Sequence, residues 1–112
     1  MNNPNLADEI AILHANLCSA LADPHRILII YVLSERPHMV NDLATEVGLS
    51  QPATSRHLKT LREAGIVRAN RQGVCIEYSL IDVRMIEALD ILRAILRDHL
   101  THNAALVEND KS

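Results

Sequence analysis

Apolar residues recur at helical spacing along most of the chain, and the pattern predicts five helices and one β-hairpin. The first helix covers about Leu6–Leu21, where Leu6, Ile10, Leu13, Leu17 and Ala20 form one stripe. Asn5 stands as its cap, and Asp8 and Glu9 suit the positive end of its dipole. Asp23 and Pro24 restart the chain, because Asp caps well and Pro at the first helical position forfeits no hydrogen bond. Ile27, Leu28, Ile30, Tyr31 and Leu33 make this second helix apolar nearly all round, which predicts a central place in the core. Glu35-Arg36-Pro37 ends it.

A short third helix, Asp42–Val47, is expected with Asn41 as cap and Gly48 as stop. Ser50 caps the fourth helix, Pro52 lies in its first turn, and Gly65 stops it. Only Gly48-Leu49-Ser50 separates the two, and a helix pair joined by a short glycine-containing turn is a helix-turn-helix. Ile66–Asn70, the tip Arg71-Gln72-Gly73, and Val74–Leu80 then read as a hairpin. Val74, Ile76, Tyr78 and Leu80 alternate with Cys75, Glu77 and Ser79, the pattern of a half-buried strand. Asp82 is read as the cap of a long last helix ending near His102, and Asn103–Ser112 as a frayed, flexible tail. The expected fold is therefore mainly α with a small β-hairpin wing, a winged helix-turn-helix filling one domain over residues 1–112.

On the fourth helix, Ser50–Ala64, the residues Thr54, Leu58 and Leu61 share one face, while Pro52, Arg56, Lys59 and Glu63 project from the other. A helix of this width enters the DNA major groove, with side chains near its N-terminus at base edges. Gln51, Ser55 and Arg56 are the readers of choice, Lys59 suits a phosphate, and the amides at Ser50 add an anion site. Arg68 and Arg71 on the hairpin would lie along the flanking backbone or minor groove. With Thr54 and His57, which belong to the same helix, these residues make up the candidate DNA-contacting set.

Charge first argues against this and then for it. The chain of 112 residues carries a formal net charge of −3. Between Val47 and Gly73, however, Arg56, Lys59, Arg62, Arg68 and Arg71 face a single acid, Glu63. That segment is +4, which leaves −7 on the rest of a chain whose total is −3. Screening confines fields to about 8–10 Å, so a basic face on an acidic body still captures phosphates. Phe and Trp are absent and the only aromatics are Tyr31 and Tyr78, so single strands held by base stacking are not expected. No apolar run approaches the roughly 20 residues of a membrane span, and Met1–Asn5 is polar and uncharged, unlike a secretory signal. A cytoplasmic, membrane-free protein is expected.

Several of these motifs coincide with those of one family. The run Leu21-Ala22-Asp23-Pro24-His25-Arg26-Ile27-Leu28, the stretch Leu49-Ser50-Gln51-Pro52-Ala53-Thr54-Ser55-Arg56-His57-Leu58 continuing to Ala64-Gly65-Ile66-Val67, and the pair Arg71-Gln72-Gly73 and Glu77-Tyr78-Ser79-Leu80 resemble the ArsR/SmtB repressors over about residues 16–100. The resemblance implies a homodimer built from the first and last helices, a palindromic operator, and release of DNA on an effector signal. The broad apolar face of Met85, Leu89, Leu92 and Leu96 favours dimerisation independently. Two metal sites known in the family look absent. His38-Met39-Val40-Asn41-Asp42 holds no Cys at the start of the third helix, and Asp82-Val83-Arg84 lacks a His, with Ile95 at the later ligand position.

The sensor therefore stays open between metal chemistry, thiol chemistry, and another effector or none. His14 and Cys18, at i and i+4, could chelate a metal ion with His99 and His102 if the first helix packs on a partner's last helix. The plainer reading makes Cys18 a small apolar residue and these histidines interface or solvated ones. Alternatively Cys75, on the polar side of the wing strand, or Cys18 senses thiol chemistry. They sit on distant elements, so an intrachain disulfide is not expected. Only three glycines occur and no phosphate loop or nucleophile elbow is present, so an enzyme is not expected. The competing class is a winged-helix protein-interaction module without DNA binding, which the acidic total charge keeps in view.

Overall fold

The computed structural model describes residues 5–110, with side chains as far as Asn103. Met1–Asn5, apart from Asn5, and the last two residues of the tail lie outside the described part. The chain divides into two compact units, one ending at Asp82 and the other starting at Val83.

The first unit opens with α1 (Leu6–Leu13), followed without a break by a π-helical turn at His14–Cys18. The side chain of Asn5 accepts the Asp8 N–H at 2.9 Å, as a cap should. The π turn interrupts what the sequence presents as one regular helix. Helix α2 (Pro24–Glu35) starts behind Asp23, whose carboxylate takes the His25 N–H at 2.8 Å, and it buries Ile29, Ile30 and Leu33.

Strand β1 (His38–Met39) was not anticipated, since two residues have no period to detect. It leads directly into α3 (Val40–Val47), two residues earlier than expected. Met39 therefore takes the cap position without a side-chain bond, and Asn41 lies inside the helix. His38 is buried and satisfied at both ring nitrogens, Nδ1 lying 2.7 Å from the Arg36 carbonyl and Nε2 3.2 Å from Glu46 Oε1. Glu46 thus ties α3 to the segment before it.

Gly48 ends α3 with φ 72°, a left-handed conformation that favours a residue without Cβ. Helix α4 (Gln51–Glu63) follows, with the Ser50 hydroxyl accepting the Ala53 N–H at 3.2 Å. Buried side chains of α2, α3 and α4 make one aliphatic core: Ile29, Ile30, Leu33, Leu43, Leu58 and Leu61.

Strands β2 (Val67–Gln72) and β3 (Cys75–Leu80) pair antiparallel, and β1 joins the free edge of β3 to give a three-stranded sheet in the order β1-β3-β2. Arg71 and Gln72 belong to β2, so the tip is the two-residue turn Gly73-Val74. Glycine with positive φ (64°) at the first position fits a type II′ hairpin turn. Alternation predicts an inward Val74, yet it is 97% exposed, because this end of the ribbon has no layer to cover it.

The second unit is α5 (Arg84–Asp110). The Val83 carbonyl accepts from Ile86, so the helix begins one residue past the position that would make Asp82 its cap. It also runs eight residues beyond His102, through most of the segment read as a tail. Ile91, Leu92, Ile95, Leu96 and Leu100 are all exposed along it. No helix among the described residues is long and apolar enough to cross a membrane.

Candidate nucleic-acid interface

The outer surface of α4 is a consequence of its inner one. Thr54, Leu58 and Leu61, at i, i+4 and i+7, are buried in the core, which fixes the rotation of the helix about its axis. Gln51, Pro52, Arg56, Lys59 and Arg62 are thereby turned to solvent. The Gln51 amide donates to the Ser55 hydroxyl at 3.0 Å, holding two polar groups side by side in the first turn. The Arg56 guanidinium makes no hydrogen bond or ion pair with any described residue.

Two members of the sequence-derived contact set point elsewhere. Thr54 is 0% exposed and its hydroxyl donates to the Ser50 carbonyl at 2.9 Å, so it is a core residue and not a DNA contact. His57 is half-buried and turned toward α2. Its Nδ1 lies 3.3 Å from an Arg26 guanidinium nitrogen, and its ring stacks on His25 with centroids 5.8 Å apart at 28°. Arg26 also donates from Nε to the Ala20 carbonyl at 2.6 Å and from Nη2 to the Ser19 carbonyl at 3.4 Å. One guanidinium thus links the end of the first helical run to α4. Burial pushes the His57 imidazole below its ordinary pKa, with Asp23 opposing and Arg26 reinforcing the shift. The hydrogen bond from the His25 N–H holds the Asp23 carboxyl below its ordinary value.

On the wing, strand alternation separates the two arginines. Arg71 pairs with Ile76, and Arg68 with Ser79, so they stand on opposite faces of the ribbon. Ile76 and Tyr78 line a groove of about 370 Å³ that reaches Gln51 and Ser55 at the start of α4. Arg68 lines a second cleft, of about 510 Å³, with Lys59 and Arg62. Arg62 belongs with the basic surface although no motif singled it out. The count of positive charges between Val47 and Gly73 was the signal available for it.

Both thiols, Cys18 and Cys75, are exposed and free. For Cys18 this differs from the plainer reading of a small apolar residue. His14 and Cys18 open and close the π-helical turn, and His99 bonds to Asn103 at 3.2 Å on α5. The arrangement read for these two and His102 requires a partner subunit. Among the described residues, the one set of three metal-ligating side chains that converges is Asp23, His25 and His57, a grouping no motif in the sequence marks.

A helix pair across a three-residue turn, an outward cationic helix face and an adjoining wing define a winged helix-turn-helix protein. The chain belongs to the ArsR family of bacterial regulatory proteins, whose family profile matches residues 23–69. It is 41% identical over 76 residues to the HTH-type transcriptional regulator NmtR of Mycobacterium tuberculosis, covering 68% of this chain and 63% of NmtR. The match therefore spans a little under two thirds of that relative. The HTH-type regulator Rv0081 of the same organism is 36% identical over 98 residues, 87% of this chain and 86% of its own length. The crystal structure of Rv0081 superposes with a TM-score of 0.76, covering 91% of this chain and 99% of that one at 33% identity. NolR from Sinorhizobium fredii superposes with a TM-score of 0.72 at 35% identity, over 85% of this chain and 95% of its own.

Proposed function

We propose that this protein is a homodimeric transcriptional repressor that reads a palindromic double-stranded operator through α4. The observation that carries the reading is the division of that helix, with Thr54, Leu58 and Leu61 buried and Gln51, Arg56 and Lys59 facing solvent. In this reading Gln51, Ser55 and Arg56 meet base edges, and the amides capped by Ser50 receive a phosphate. Lys59, Arg62 and Arg68 hold the backbone on one side of the helix, and Arg71 follows the wing along the other. Repression is supported by the similarity, 33% over 81 residues, to the biofilm growth-associated repressor of Xylella fastidiosa. The exposed apolar residues of α1 and of α5, such as Leu6 and Ile10 on the one and Leu92 and Leu96 on the other, support a dimer, since apolar surface of this kind is suited to a second copy. The role is regulatory and not enzymatic, and binding chromosomal DNA puts it in the cytoplasm. An effector acting through metal or thiol chemistry releases the operator.

Titrating the protein into labelled DNA from upstream of its own gene tests this. Affinity should fall steeply and log-linearly with salt as counterions leave the phosphates. A flat salt response, or equal affinity for unrelated duplexes, would refute the proposal.

A further inference from the structure

We propose that Asp23, His25 and His57 form a binding site for one borderline divalent ion, Zn²⁺ or Co²⁺, that bridges the start of α2 to the DNA-reading helix. One ligand atom from each of the three lies within 4.8 Å of the other two. His25 Nδ1 and Asp23 Oδ1 are 3.3 Å apart. Two ligands at about 2.0–2.1 Å on a tetrahedral ion are separated by about 3.3 Å, so this edge is already at the spacing an ion needs. Two imidazoles and one carboxylate suit zinc or cobalt better than a hard, all-oxygen ion, and leave a fourth position for water. The approach is open, since the side chains of His25 and Asp23 are 49% and 32% exposed.

The third ligand gives the site its consequence. His57 Nδ1 now faces Arg26, and an ion on that nitrogen takes the lone pair the guanidinium uses. Arg26 keeps the Ser19 and Ala20 carbonyls, so its charge stays in place while its link to α4 is lost. An ion held through Nδ1 therefore excludes the Arg26 bond to α4, whereas one held through Nε2 leaves it in place. His57 directly follows Arg56, so tilting the helix through His57 moves the side chain assigned to the bases. This consequence, unlike the site itself, rests on the reading of α4 as the DNA-contacting element.

Co²⁺ titration of the apo-protein is the test. It should produce a ligand-field spectrum saturating at one ion per chain and displaced by Zn²⁺. His25→Ala removes an exposed ligand and should weaken Co²⁺ binding at least about tenfold, by comparison with the 10–100-fold losses typical of residues that merely support ligands. His57→Gln should do the same, while a His14→Ala, His99→Ala, His102→Ala triple variant should bind as the native protein does. Circular dichroism should show every variant folded. No spectrum at millimolar Co²⁺, unchanged binding in His25→Ala, or loss in the triple variant would overturn the site. DNA affinity is measured on the same samples with and without ion. Normal salt-dependent DNA binding without a cobalt spectrum refutes the metal site alone, and a spectrum without DNA binding refutes the operator reading alone.

Discussion

Replacing Arg56 with alanine isolates the contribution of the α4 outer face, because the side chain is exposed and bonds to no described residue. Removing it leaves no buried group unsatisfied, and alanine is the better helix former, so stability should stay within about 0.5 kcal/mol of the native value. DNA affinity should not. A bidentate contact to a base is worth about 1–3 kcal/mol, and a symmetric dimer loses it in both half-sites, giving roughly 2–6 kcal/mol in all. Even at the lower end that is about a thirtyfold loss. If Arg56 instead meets phosphate, each lost charge lowers the salt slope by about 0.9, or about 1.8 per dimer. Fluorescence anisotropy at four or five salt concentrations, with specific and unrelated duplexes, separates the two cases. A base contact changes the ratio between duplexes, whereas a phosphate contact changes the slope for both. A folded, dimeric Arg56→Ala protein with native affinity and native slope would show that the reading helix lies elsewhere.

Leu61→Ala should cost about 2–5 kcal/mol, read as a lowered denaturation midpoint, since Leu61 is fully buried where α4 meets the core. An unchanged midpoint would contradict the packing that sets the rotation of α4. Gly48→Ala should cost about 1–2 kcal/mol on conformational grounds alone, because φ is 72° and an added Cβ meets no atom within 4 Å. Equal stability there would mean that the turn relaxes freely. Leu92→Asp with Ile95→Asp, both at exposed positions of α5, should give monomers by light scattering and abolish tight operator binding. Dimers that persist would place the subunit contact on another surface.

Much of the scaffold can be read from local chemistry. Asn5, Asp23 and Ser50 each accept a backbone N–H within three residues, an interaction with little dependence on the rest of the fold. Gly48 and Gly65 adopt positive φ next to the helices they end, as their placement in the chain implied. The spacing of Thr54, Leu58 and Leu61 was enough to orient α4, although the polar side chain of Thr54 also put it in the expected contact set, against its burial. The family motifs extend that reading to the reading helix and the wing.

Other features arise only when distant segments meet. His57 neighbours Arg56 on the helix surface, and its direction depends on α2 lying alongside with Arg26 and His25. β1 exists because His38 and Met39 reach the edge of β3, some forty residues onward. Arg68 and Arg71 look equivalent in a basic run, but pairing with Ser79 and Ile76 assigns them to opposite faces. Hydrogen bonds to near neighbours and side-chain periodicity act over a few residues, so the linear chain displays them. Which half-exposed side chain meets which partner is settled by the packing of whole faces, and that information is spread over the entire core.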